Sequence, residues 1–296
     1  MPTSPETAAL SPVLTTLLAF ELGLIALGAF LILRRARSAG LRFLGLAPSG
    51  LAASPYRPSE MFLAAACAFG GAIIFQVVAG QVAGRWFPRV EDAEGLSLHD
   101  VILGAGFQLG LLAGLGHAWF WHLRPARRLP EPGEPETTPC RVPAGVALRE
   151  GVLTFVTALP VVAAVGLIWK HLLDLLGVDA QPQDLVTLFA STGDHLALGF
   201  IVVLAVVVAP ITEELVFRIG LFRWLRTRTL RTVALLVPAM AFAALHGNIA
   251  AFLPLVALAV HLALAYERVG HPLVPIVAHA LFNLNTLVLL LAGLEV

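Results

Sequence analysis

The stretch "LALGFIVVLAVVVAPITEELVFRIG", residues 196–220, is apolar enough to cross a membrane, yet it contains Glu213, Glu214 and Arg218. A transmembrane helix needs about 20 predominantly apolar residues. A charged side chain at the centre of the bilayer costs about 2.5–3.5 kcal/mol on insertion scales. The stretch therefore predicts a membrane-spanning helix whose charged side chains have either partners or a function.

The composition of the whole chain agrees with a membrane protein. Of its 296 residues, 58% are hydrophobic and 13% are charged, whereas a soluble domain carries about 25% charged residues. The net charge is zero, so no excess of basic residues is available to bind nucleic-acid phosphates. These values predict an integral protein of the lipid bilayer and exclude nucleic acid as a partner.

Eight apolar segments are long enough to span the bilayer, and the turn "HGN" (246–248) separates the sixth from the seventh. The predicted fold is all-α, a polytopic transmembrane helix bundle of about eight spans. The predicted spans are residues 12–33, 60–82, 100–121, 151–169, 195–217, 232–248, 249–266 and 272–292.

The arginines predict the orientation and the domain organisation. Of the 19 basic residues, 16 lie near or after the cytoplasmic ends expected for the first, third, fifth and seventh spans. The positive-inside rule then places those loops in the cytoplasm and both termini outside. The domains predicted are residues 1–123 with three helices, a Pro-rich cytoplasmic linker at 124–150, and a second membrane domain at 151–296. A composition rich in Ala, Leu and Arg, with a single lysine, is typical of a bacterial cell membrane protein.

Four polar side chains on three predicted helices lie at similar depths. Helices rise about 1.5 Å per residue. Counted from the cytoplasmic ends of their helices, Glu213 lies about 15 Å deep and His246 about 22 Å deep. On the last helix His279 lies about 12 Å and Asn283 about 18 Å deep. Because the hydrocarbon core is about 30 Å thick, all four occupy a band around its midplane, which predicts a site.

The two adjacent glutamates are expected to differ in function. Glu214 and Arg218 are spaced i,i+4 and can pair along one helix face. Glu213 is about 100° further round the helix, so this pair does not explain its presence. His279 and Asn283 are also spaced i,i+4 and share a face.

Three motifs then give a family resemblance. "EELVFR" (213–218) matches EExxxR, "FAALH" (242–246) matches FxxxH, and "HALFN" (279–283) matches HxxxN. In this order the motifs resemble those of the CPBP intramembrane proteases, the family of the type II CAAX prenyl proteases and related bacterial proteins. The likeness covers about residues 150–292, which makes 151–296 the expected catalytic domain.

The resemblance implies an intramembrane endopeptidase whose active site opens to the cytoplasmic side. Peptide hydrolysis needs an activated water, a proton acceptor and donors for the developing oxyanion. On this reading Glu213 and His246 hold and deprotonate the water, while His279 and Asn283 donate to the oxyanion. The catalytic residues expected are Glu213, Glu214, His246, His279 and Asn283. Arg218 has an orienting role, because together with Glu214 it can orient the carboxylate of Glu213.

The sequence leaves the use of a metal open. Glu213, His246 and His279 are one Glu and two His, a set that suits an open zinc site, and the resembling family is often labelled metalloprotease. However, the chain has no HExxH motif, which places two zinc ligands and a glutamate base on one helix. The two alternatives are Zn²⁺ held by these three residues and water activated by Glu213 and His246 without metal.

Two other functions compete with the protease. A proton-coupled transporter can use intramembrane Glu and His side chains as a relay, although no inverted repeat is evident. A non-catalytic membrane binding or immunity protein is the other alternative. For the protease, the expected substrate is a peptide or a membrane-anchored protein, while the sequence makes no prediction of the oligomeric state.

Overall fold

The computed structural model describes residues 12–39, 51, 54–89, 97–124, 142–178 and 195–294. Within these ranges the protein is an all-α bundle, which confirms the predicted fold class, and eight helices are present. In chain order they are α1 (Pro12–Ala39), α2 (Pro58–Trp86), α3 (Leu98–Leu123), α4 (Ala144–Leu175), α5 (His195–Arg226), α6 (Arg231–Leu245), α7 (Ile249–Val269) and α8 (Leu273–Leu291).

Seven of the eight helices are long and apolar enough to cross a membrane. The exception is α6, which has 15 residues and is about 22 Å long at the helical rise. It ends at Leu245 rather than at Asn248, because the "HGN" turn that follows contains Gly247 with a left-handed φ of 65°. This helix therefore ends inside the bundle and places His246 at its carboxyl end.

Local sequence signals set several helix ends. Helix α2 begins with Pro58, and the carboxylate of Glu60 accepts a hydrogen bond from the backbone N–H of Arg57 at 2.7 Å. The side chain of Asn248 accepts a hydrogen bond from the Ala251 backbone N–H at 2.9 Å at the start of α7. Such caps satisfy backbone donors that a helix leaves unpaired at its first turn.

The fourth helix is longer than expected. The predicted span 151–169 lies within α4, which begins at Ala144, so the last residues assigned to the linker 124–150 are helical. Residues 125–141 of that linker lie outside the described residues.

Many large apolar side chains cover the outside of the bundle, among them Phe62, Ile74 and Leu167, which are 78%, 62% and 72% exposed. This surface suits lipid, since backbone polar groups are satisfied within the helices.

Helices α2 and α3 form a hairpin with very close backbones. Gly110 and Gly114 of α3 lie against the backbones of Gly71 and Cys67 in α2, so a Cβ at either α3 glycine would clash with a carbonyl oxygen. Small residues at such spacing let membrane helices approach closely. The glycine ridge of α3 is therefore an internal packing surface of the bundle.

The remaining helices surround α4 and α5. Helix α4 packs against α1, α7 and α8, where Phe155, Leu159 and Leu258 are buried together. Two polar contacts cross this region: His261 lies 3.0 Å from the Thr157 hydroxyl, and Asn285 donates to Glu21 at 3.2 Å. Helix α5 runs between α3 on one side and α6 and α8 on the other, so its polar residues face several helices at once.

At the arginine-rich end of the bundle, one buried carboxylate joins three helices. Glu267 of α7 forms ion pairs with Arg226 of α5 at 2.5 Å and Arg231 of α6 at 2.8 Å. The same end of α5 holds the segment before α2, because Trp224 and Arg228 donate to the backbone carbonyl of Tyr56 at 3.0 and 2.5 Å. These contacts fix the two halves of the chain relative to each other.

Candidate active site

The α5 helix presents its two glutamates between two stretches of wider helix. Residues Leu204–Val208 and Leu215–Phe222 are π-helical, and the ordinary α-helical stretch between them is Ala209–Glu214. In a π-helix the hydrogen bonds run from i to i+5, and such turns occur frequently at functional sites. The wider turns change the directions in which Glu213 and Glu214 point.

Glu214 is fully buried and contacts two cationic or titratable groups. Its Oε1 lies 2.9 Å from Nη1 of Arg218 and 2.8 Å from Nδ1 of His279. The pairing of Glu214 with Arg218 predicted from their spacing is therefore present. Neither terminal nitrogen of Arg218 has a well-aligned hydrogen-bond partner within the described residues, so the attraction to Glu214 is mainly electrostatic.

Phe242, the first residue of the FxxxH motif, packs between the charged groups. Its ring lies 4.6 Å from the guanidinium carbon of Arg218, 4.7 Å from the His246 ring and 5.8 Å from the His279 ring. An arginine over an aromatic face gains cation–π stabilisation, especially where water is excluded. These contacts give a physical reason for an aromatic residue at the first position of the FxxxH motif.

Glu213 points away from this buried pair. Its side chain is 19% exposed, whereas that of Glu214 is 0% exposed. The Oε2 atom of Glu213 lies 3.7 Å from Nε2 of His279, which is longer than a direct hydrogen bond. His279 therefore lies between the two carboxylates, bonded to Glu214 and facing Glu213.

His246 closes the carboxyl end of α6 and has a defined ring orientation. Its Nδ1 lies 2.8 Å from the backbone carbonyl oxygen of Phe242. A carbonyl only accepts, so Nδ1 carries the hydrogen, and Nε2 of the neutral ring has a free lone pair. The turn at Gly247 ends the helix at this point.

Glu213 and His246 line the same cavity, which has a volume of about 250 Å³. It lies between α2, α3, α5 and α6. Its lining residues are Phe69, Phe107, Gln108, Leu111, Glu213, Val216, Phe217, Phe242, Leu245 and His246. A mostly apolar cavity with a few polar groups converging on it is the usual form of a small-molecule or peptide site.

Asn283 does not line the cavity and instead contacts a backbone carbonyl of α5. Its Nδ2 donates to the backbone carbonyl of Ala205 at 2.8 Å. Ala205 lies in the first π-helical stretch of α5, where the changed hydrogen-bond pattern makes carbonyls available to side chains. The contact holds α8 against α5, while a role of Asn283 as an oxyanion donor stays a prediction.

The side chains expected to bind a metal are not arranged as a closed set of ligands. Among the described residues no three His, Cys, Asp or Glu side chains are grouped closely enough to hold an ion. Nδ1 of His246 and Nδ1 of His279 are both engaged, with Phe242 and Glu214 respectively, which leaves Nε2 of each ring as the nitrogen that could ligate a metal. Glu213, His246 and His279 are not grouped as three ligands among the described side chains, and a zinc ion held by them stays a prediction.

Sequence reasoning did not place Gln108 or Thr212 in the site. The Thr212 hydroxyl donates to Oε1 of Gln108 across the α3–α5 contact. A glutamine inside an apolar span indicates a hydrogen bond to another helix, but the sequence does not identify its partner. Phe242 could have been found, since it belongs to the FxxxH motif.

A comparison with protein families agrees with the motifs. The model of the family described as "Type II CAAX prenyl endopeptidase Rce1-like" matches residues 195–285. This range holds all three motifs and a little under a third of the chain, and the match confirms the resemblance predicted from the motifs. No curated protein and no solved structure matches the chain.

Proposed function

We propose that this protein is an intramembrane endopeptidase that hydrolyses a peptide bond with a water activated by Glu213 and His246. One observation carries the proposal. The partly exposed carboxylate of Glu213 lines the same cavity as His246, inside an apolar helix bundle, while a fully buried glutamate, arginine and histidine lie directly behind it. The match to an endopeptidase family over residues 195–285 supports it.

Glu213 is the general base in this proposal. A general base must lie within hydrogen-bond reach of the proton that it takes, directly or through one water. The 3.7 Å gap between Glu213 and His279 leaves that carboxylate without a direct hydrogen bond to the ring. In the proposed mechanism a water in the cavity that both residues line donates to Glu213 and to Nε2 of His246.

Glu214, His279 and Arg218 position the base. Glu214 accepts the Nδ1 hydrogen of His279 and so directs Nε2 toward Glu213. Arg218 supplies the counter-charge for Glu214, without which a buried carboxylate is strongly destabilising. The positioning set is held by packing against Phe242.

The reaction is a simple hydrolysis. The water oxygen attacks the carbonyl carbon while one water proton passes to Glu213, which gives a tetrahedral intermediate with a negatively charged oxygen. Breakdown of the intermediate cleaves the C–N bond, and the proton held by Glu213 passes to the leaving nitrogen. The products are a carboxylic acid and an amine, and the base is regenerated.

The proposed substrate is a peptide or a membrane-anchored protein that enters from the cytoplasmic side. The arginine-rich end of the bundle contains Arg226, Arg231 and Glu267, and the positive-inside rule assigns such an end to the cytoplasm.

Reporter fusions in the loops 34–59, 124–150 and 223–231 are expected to report the cytoplasm. A fusion at Val296 is expected to report the outside, and a cytoplasmic signal there contradicts the orientation.

The experiment compares membrane proteins and released peptides from cells that make the wild-type protein, Glu213→Gln or Glu21→Gln at equal levels. Glu21 is a matched control, because it is another glutamate within a span but contacts Asn285 rather than the cavity. Peptides released by wild type and Glu21→Gln are expected to be absent with Glu213→Gln. Identical peptide sets in all three strains contradict the proposal, and a binding protein or transporter then becomes the better account.

A further inference from the structure

The cavity beside Glu213 is walled on one side by the N-terminal helix hairpin. Phe69 of α2 and Phe107, Gln108 and Leu111 of α3 line it. All four lie outside the residues 195–285 that match the endopeptidase family. Three of them are apolar, so Gln108 is the polar group that this wall presents.

Gln108 is held in a defined orientation by the residue next to the proposed base. The Thr212 hydroxyl donates to its Oε1, and Thr212 directly precedes Glu213 and is fully buried. In this arrangement the carbonyl end of the amide is occupied and the two hydrogens of Nε2 remain. Within the described residues Nε2 has no hydrogen-bond partner, and Gln108 is half-buried at the cavity.

A donor at this wall would meet a chemical need. Hydrolysis develops negative charge on the carbonyl oxygen, and preorganised donors there are a large part of catalysis. The Asn283 amide donates to the Ala205 carbonyl, the Nδ1 of His279 is bonded to Glu214, and Arg218 is buried beneath Phe242. Gln108 is the side-chain amide that lines the cavity itself.

We propose that Gln108 is a further catalytic residue, whose Nε2 donates a hydrogen bond to the carbonyl oxygen of the peptide bond that is cleaved. The inference rests on the proposed function, because it names a contact in that reaction. It makes the N-terminal hairpin part of the active site, with the carbonyl carbon between Gln108 on α3 and the water on Glu213.

The hairpin is rigid enough for this role. A catalytic donor has to be held within about 0.5 Å of its productive position. Gly110 and Gly114 bring the backbones of α2 and α3 into direct contact. At the arginine-rich end, Trp224 and Arg228 hold the segment before α2 to the end of α5. Besides its own bond to Thr212, Gln108 is thereby tied to α5 through the rigid hairpin and the contacts at its arginine-rich end.

The test measures kcat and KM of purified variants in detergent. The substrate is a synthetic, fluorescence-quenched copy of a peptide bond found cut in the cell comparison above. Gln108→Met keeps the approximate volume and removes the donor. Its kcat is expected to fall about 10²-fold, as for the loss of one oxyanion donor, with little change in KM, since the bond strengthens in the transition state. Gln76→Met makes the same change at an exposed position of α2 and is expected to match wild type.

Thr212→Val separates catalysis from structure, because it removes the same hydrogen bond between helices but leaves the Nε2 donor. Its thermal stability is expected to fall as much as that of Gln108→Met, while its kcat falls less. Wild-type kcat in Gln108→Met, with Glu213→Gln inactive, overturns the role of Gln108 and leaves the proposed function standing. Equal kcat losses in Thr212→Val and Gln108→Met also overturn it. A wild-type protein that cuts nothing in cells overturns both proposals.

Discussion

The α2–α3 hairpin and the α5–α8 helices are held together by different means. In the hairpin, glycines bring two backbones into contact, and the stabilising energy comes from close packing of apolar surfaces. Around α5, a buried carboxylate, an arginine, two histidines and an aromatic ring pack instead. Packing of small apolar residues removes no charged group from water, whereas burying a charged side chain carries a desolvation penalty of several kcal/mol per ion. The second region therefore retains groups that stability alone does not favour, which is typical of a functional site.

The largest effect is expected from removing one partner of the buried cluster. Glu214→Gln leaves Arg218 without a counter-charge in an apolar environment, so unfolding in detergent should require about 3–5 kcal/mol less free energy. The double variant Glu214→Gln with Arg218→Met removes both charges and should recover part of that loss. Thermal unfolding of the three proteins measures this, and wild-type stability in Glu214→Gln shows that the pair is not desolvated.

The next effect tests the other region. Gly114→Leu places a side chain against the carbonyl of Cys67, and overpacking of this kind costs about 1–3 kcal/mol. Gly116→Leu is a matched control on the same helix, since a Cβ there meets no atom within 4 Å. The thermal midpoint should fall for the first variant alone. Equal midpoints indicate that the hairpin backbones are further apart.

A smaller effect is expected for a single hydrogen bond within the α5–α8 region. Asn283→Ala removes the hydrogen bond to the Ala205 carbonyl, which is worth about 0.5–1.5 kcal/mol. The matched control Asn285→Ala removes the bond to Glu21, a similar loss outside the site. Both variants should lose similar stability, and a far greater loss of peptidase activity in Asn283→Ala would assign Asn283 a part in the chemistry.

The smallest effect is expected from removing metal, which should leave the peptidase activity unchanged. With no group of three ligands among the described side chains, peptidase activity should survive treatment with a chelator and dialysis to metal-free protein. Elemental analysis checks the metal content beside the activity. About one zinc per chain, with activity lost on chelation and restored by added zinc, would instead support Glu213, His246 and His279 as ligands.

The helices and one ion pair were predictable, because both follow from spacing along one chain. An apolar run of about 20 residues has to be helical in lipid, and the rise per residue then fixes depth. The pairing of Glu214 with Arg218 followed in the same way from i,i+4 spacing. The fold class and the Glu214–Arg218 pair were therefore accessible from sequence, while the mid-membrane band of Glu213, His246 and His279 stays a prediction.

Helix neighbours and side-chain directions were not predictable. These helices are apolar on most faces, so periodicity does not identify the face that meets another helix. The approach of Gln108 to Thr212 depends on that choice. The π-helical stretches of α5 change the angular positions that regular helix geometry assumes, and no sequence signal indicated them. The engagement of Asn283 with the Ala205 carbonyl follows from that change of backbone.

The π-helical stretch Leu204–Val208 also sets an angular phase for everything that follows it on α5. Deleting one residue there would leave a hydrophobic span of nearly the same length, so insertion into the membrane would be unaffected. A π-helical turn contains one residue more than an α-helical turn, so this deletion would let the turn close as ordinary α-helix and leave Glu213 and Glu214 pointing as they do now. Deleting one residue from the α-helical stretch Ala209–Glu214 would instead turn Glu214 by about 100° to where Glu213 now points, and His279 would lose its carboxylate.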